Sequence, residues 1–60
     1  MKKKADYIQY PEDTRVFIPS IGMYGEAYES AFGVISVFVD EERKCKYFNI
    51  NDVEFLEEKQ

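Results

Sequence analysis

Few side chains in this sequence are equipped to make or break bonds. There is no histidine and one cysteine, Cys45. Cys45 lies between Lys44 and Lys46, cations that favour a thiolate, but no imidazole exists to take its proton, so nucleophilic catalysis has no base. A lone Cys also excludes a Cys/His zinc site. The run Asp40-Glu41-Glu42 is consecutive and lacks the alternating ligand spacing of a calcium loop. Gly22 and Gly25, with Ser20 and Ser30 nearby, lack the lysine and following helix of a phosphate-binding loop. Nothing among twelve Asp and Glu residues marks out a pair for acid–base work. The chain therefore reads as non-enzymatic, with no cofactor and no metal.

What remains is recognition. The sequence holds five Phe and five Tyr but no Trp, and such rings anchor interfaces at low entropic cost. The candidate partner-binding residues are Tyr24 and Tyr28, Phe17, Phe38 and Phe48 on strand faces expected to point outward, and the acids Glu26 and Glu29. The competing expectation is that these rings fill the core, because a small domain needs every ring it has. Cys45 is expected to face inward as a buried structural thiol.

Net charge is −4, but three of the eight basic residues sit at Lys2 to Lys4. From residue 5 onward five Lys or Arg face twelve Asp or Glu, leaving −7. Such a body repels a phosphate backbone and attracts basic partners. Acidic clusters of this kind suit mimicry of a nucleic-acid backbone, or simply keep a small protein soluble.

These residues must be positioned by elements of a single domain, since the chain has 60 residues. A domain of that size buries only about 60 % of its unfolded surface. The lone cysteine allows no internal disulfide and fits a reducing compartment. Met1-Lys2-Lys3-Lys4 is not followed by an apolar run, and no stretch approaches the ~20 apolar residues that span a bilayer. The expected location is cytoplasmic, with no membrane partner.

Along the chain, residues 1–13 read as a partly ordered lead-in and 57–60 as a polar tail. Between them, Thr14 to Ile18 is a strand with Val16 and Ile18 inward, ended by Pro19. Ser20 to Ser30 reads as a long irregular loop, with Gly22 and Gly25 free to adopt positive φ. Gly33 to Val39 is a β-branched strand with its odd positions in the core. Asp40 to Arg43 forms a hairpin loop. Lys44 to Phe48 follows, with Cys45 and Tyr47 on the inward face. Asn51-Asp52 suits a tight or 3₁₀ turn, and Val53 and Phe55 point inward in a closing strand.

This order of parts resembles a small SH3-like barrel over residues 14–56, ending Tyr47-Phe48-Asn49-Ile50-Asn51-Asp52-Val53-Glu54-Phe55-Leu56. Small SH3-like proteins of phages and prophages of Gram-positive bacteria have this size and layout. The resemblance implies an all-β fold, a partly open barrel of about five short antiparallel strands. It carries no activity across, because the tryptophan of peptide-binding SH3 domains and the basic surround of KOW-type barrels are both missing. The expected function is a protein-interaction module, as in a phage accessory that binds a host protein. Two alternatives stand beside it. One is a nucleic-acid-associated KOW-like barrel using Lys2 to Lys4, Arg43, Lys44 and Lys46; the other is a self-associating subunit that dimerises through a strand edge.

Overall fold

The computed structural model describes residues 7–56. Within them the chain forms six strands: β1 (Ile8–Gln9), β2 (Arg15–Ile18), β3 (Met23–Ala31), β4 (Val34–Val39), β5 (Lys44–Asn49) and β6 (Glu54–Phe55). A 3₁₀ turn, Ile50–Asp52, links β5 to β6. Every pairing is antiparallel, in the order β5-β4-β3-β2-β6, with β1 also against β3. The expected all-β architecture is present. The sheet stays open, with β5 and β6 at its two ends.

The largest departure from the sequence reading is at residues 23–31. The expected loop Ser20 to Ser30 is mostly β3, and only a turn around Pro19–Gly22 separates it from β2. Its inward row is Gly25, Ala27 and Ser30, residues that resemble loop composition when read alone. Their small size is what the position demands. A Cβ at Gly25 would stand 2.5 Å from the Phe38 carbonyl oxygen and 2.6 Å from Val37 Cγ1. Gly25 therefore serves close backbone approach and not positive φ; among the described glycines that conformation belongs to Gly22 and Gly33.

Tyr28 is an extra residue in β3. Ala27 lies opposite Val37 and Glu29 opposite Ser36, so the ladder to β4 slips by one. Such a bulge bends its strand and increases local twist. Before the bend, β3 pairs with β2 through Met23–Glu26; beyond it, with β1 through Glu29 and Ser30. The Tyr10 amide donates to the Tyr28 carbonyl at 2.9 Å, and the Ala27 amide to Thr14 O at 2.8 Å. Part of the expected lead-in is thus ordered against β3.

The core is Val16, Ile18, Ala27, Ile35, Val37, Val39 and Val53, ringed by Tyr10, Ile21, Met23, Phe48 and Ile50. As expected, Val16 and Ile18 point inward, as do the odd positions of β4. Gly33 does not belong to that row: it lies exposed in the β3–β4 turn. The facing of β5 is the reverse of the expectation. Directly paired residues share a face, and the register sets Phe48 against Ile35, Lys46 against Val37, Tyr47 against Ser36 and Cys45 against Phe38. Phe48 consequently packs on the core, while Tyr47 and Cys45 lie on the outer face, exposed.

Two lysines on the inward row misled the alternation. A lysine stem can cover apolar surface while its ammonium reaches water or an acid. Lys46 does so at the core margin, placing Nζ 2.6 Å from Glu42 Oε1.

Val53 is buried as expected, whereas Phe55 remains half exposed at the sheet margin, its ring centroid 5.3 Å from that of Tyr10. Buried Ser30 is satisfied by the Tyr10 hydroxyl at 2.9 Å.

Two outcomes follow. Gly25→Ala lowers stability by about 1–3 kcal/mol through forced displacement of β4. Gly22→Ala, with open space around it but φ of 65°, costs about 1 kcal/mol. Urea unfolding of both variants checks this; equal losses would remove the close-approach argument.

Candidate interaction surface

The inner face of the sheet is spent on the core, so among the described residues the outer face and the strand edges are left for recognition. At one end of the outer face, Phe17 and Tyr24 pair across β2 and β3, ring centroids 4.8 Å apart. Glu26 lies between Arg15 on β2 and Phe38 on β4, and its carboxylate accepts the Asp13 amide at 2.9 Å. Arg15 reaches across to ion-pair with Asp40. That bond to Asp40 is the main cause of a raised Arg15 pKa.

Of the residues expected to form a partner-binding set, four are gathered here: Phe17, Tyr24, Phe38 and Glu26. Tyr28 sits on the bulge of β3, and Glu29 lies further along the same strand. Phe48 is on the opposite, core-facing side.

The other end of the sheet was not singled out by sequence, yet it carries the most exposed rings. The β3–β4 connection is the two-residue turn Phe32-Gly33, with φ of 54° and 80°. Positive φ at both positions defines a type I′ turn, which favours Asn-Gly. A bulky residue in the left-handed region is an outlier costing about 1–2 kcal/mol. Phe32 is 81 % exposed there, so burial against the described residues does not offset the cost. Tyr7, Ile8, Val34 and Tyr47, also exposed, stand on the adjoining strand ends. The Ile50 amide donates to Gly33 O at 2.8 Å, tying the 3₁₀ turn to this hairpin.

Two hollows open beside the turn. One, of about 150 Å³, is lined by Tyr7, Glu29, Ala31, Val34, Ser36 and Tyr47. The other, of about 390 Å³, is lined by Tyr7, Ile8, Ala31, Gly33 and Ile50 with Ser30. In the first, the Tyr7 hydroxyl donates to Glu29 Oε1 at 2.6 Å. That bond raises the Tyr7 pKa above 10.0, helped less by desolvation and by the charge of Glu29. The phenol holds its proton more tightly folded than unfolded. The associated stability is therefore present below the ordinary phenol pKa and lost as pH rises through the folded one.

The basic side chains among the described residues do not form an open stripe. Among the described residues, Arg15 is paired with Asp40 and Lys46 with Glu42, leaving Arg43 in the turn and Lys44 beside it; Lys2 to Lys4 lie outside the described residues. Lys44 and Lys46 also sit along β5 at the sheet edge, where lysines discourage strand addition. Among the described residues no three Cys, Asp or Glu side chains are grouped to hold a metal ion, and no helix is long and apolar enough to cross a membrane. No known protein family, curated protein or solved structure matches the chain.

Two measurements check this surface. Glu29→Gln returns the Tyr7 titration, followed by NMR, toward that of an ordinary phenol; an unchanged titration would mean that the Tyr7–Glu29 bond is not formed. Cys45 reacts with a thiol reagent in the folded protein about as fast as in the unfolded chain. A reaction limited by unfolding would return the thiol to the core.

Proposed function

We propose that the protein is a non-enzymatic interaction module that docks a basic protein partner against the aromatic end of its outer face. The observation that carries this reading is Phe32: an 81 % exposed ring held at φ 54° on a hairpin tip. Backbone strain maintained without a packing return is a pointer to function outside the fold. Tyr7, Val34 and Tyr47 on the same face supply the apolar area that an anchor residue requires.

Charge selects the class of partner. The described residues carry nine acidic and four basic side chains, and two of the basic ones are neutralised internally. The surrounding field attracts a basic surface and disfavours nucleic acid. The order of parts from β2 to β6, with a 3₁₀ turn before a closing strand that pairs with β2, supports the SH3-like layout and, through it, a phage accessory that engages a host protein.

The test is Phe32→Asn. Asparagine tolerates the left-handed region, so this variant gains up to about 1 kcal/mol in stability while losing proteins retained from a Gram-positive bacterial lysate. Tyr24→Ser, at the other end of the sheet, keeps them. Identical retention by wild type and Phe32→Asn would overturn the reading.

A further inference from the structure

The smaller hollow has a composition that specifies its ligand. Its two walls are tyrosines, Tyr7 beside β1 and Tyr47 on β5. At this end of the sheet the strand order is β1-β3-β4-β5, so the β1 and β5 backbones are about 14 Å apart at the usual strand spacing, and Tyr7 leans from its side of that gap to Glu29 on β3. The floor between them is made of small and aliphatic side chains, Ala31, Val34 and Ser36. Glu29 supplies a carboxylate, and its Oε1 is held by the Tyr7 hydroxyl. Neither ion pair among the described residues involves Glu29.

A carboxylate that is ion-paired to no cation among the described residues, in a hollow edged by two tyrosines over a floor of small and aliphatic side chains, is suited to an organic cation. The rings attract positive charge through their quadrupoles, the carboxylate bonds the charged head, and the floor accepts an alkyl stem. An anion meets the charge of Glu29, and a wholly apolar group leaves that carboxylate covered and unpaired.

Resting on the docking reading above, we propose that the Tyr7–Glu29–Tyr47 hollow receives one arginine side chain of the basic partner. Arginine is favoured over lysine because its planar guanidinium stacks on aromatic rings and is more weakly hydrated than an ammonium.

The probe is the peptide acetyl-Gly-Arg-Gly-amide, titrated into ¹⁵N-labelled protein, with the norleucine peptide as control. The expected result is saturable shifts at the Glu29, Ser36 and Tyr47 amides with the arginine peptide, weaker with a lysine peptide and absent with norleucine. Glu29→Gln then weakens the arginine peptide about tenfold, the loss of one charge-assisted hydrogen bond, with the rest of the spectrum unchanged. Tyr47→Ser also weakens it. Equal shifts with norleucine, or an affinity indifferent to Glu29→Gln, would overturn the proposal. The two readings fail separately. If the arginine peptide is ignored while Phe32→Asn still abolishes partner capture, the docking surface stands and the arginine seat falls. If the peptide binds as described while Phe32→Asn keeps capture, the seat stands and the Phe32 anchor falls.

Discussion

The fold depends on how closely β3 approaches β4 at Gly25, where even one added carbon would meet the Phe38 backbone at 2.5 Å. β3 is the central strand, and its inward residues are Gly25, Ala27 and Ser30. A row this small leaves room for the long aliphatics on either side. Val16 and Ile18 from β2 and Ile35, Val37 and Val39 from β4 fill it and are wholly buried. Tyr10, Ile21, Met23, Phe48 and Ile50 pack around these residues and complete their cover. The bulge at Tyr28 completes the arrangement by bending β3, so that β2 and then β1 share its edge.

This economy explains where the rings go. The inner face is filled mainly by β-branched side chains, and only Phe48, Tyr10 and the margin residue Phe55 bring rings to it. The other rings fall on the outer face or at its ends. Some are quieted by local partners: Phe17 and Tyr24 cover each other, and Tyr7 is tied to Glu29. Phe32 and Tyr47 have no such shelter among the described residues and are 81 % and 76 % exposed. The proposed docking of a basic protein surface rests on two features, the acidic balance of the described residues and the exposed rings at the Phe32 end of the sheet. The chain's internal ion pairs contribute little to stability at this exposure.

Much of this was legible in the sequence. The β-branched run from Gly33 to Val39 declared its strand and, Gly33 apart, its inward face, and Asn51-Asp52 declared a tight or 3₁₀ turn, which is 3₁₀. What failed did so for identifiable reasons. Gly25, Ala27 and Ser30 look like loop composition because the demand for small side chains comes from β4, which is distant in sequence. In β5, simple alternation counts Lys46 as outward, although its stem lies on the core margin and its ammonium meets Glu42. That single inversion exchanged Cys45 and Tyr47 for Phe48. Phe32 was passed over because a phenylalanine is not a turn residue by type; only its φ and exposure reveal it. The hollow at Glu29 joins Tyr7, just before β1, to residues from β3, β4 and β5, a juxtaposition that only the sheet register creates.

The central claim is that the bent sheet sorts its rings into a core-side set and an outward set. Hydroxyl-radical footprinting of the free protein, read ring by ring by mass spectrometry, tests it most directly. The account predicts rapid oxidation of Phe32 and Tyr47 and slow oxidation of Phe48 and Tyr10. Protection of Phe32 and Tyr47, with Phe48 oxidised quickly, would contradict it, reversing the facing of β5 and removing the proposed surface.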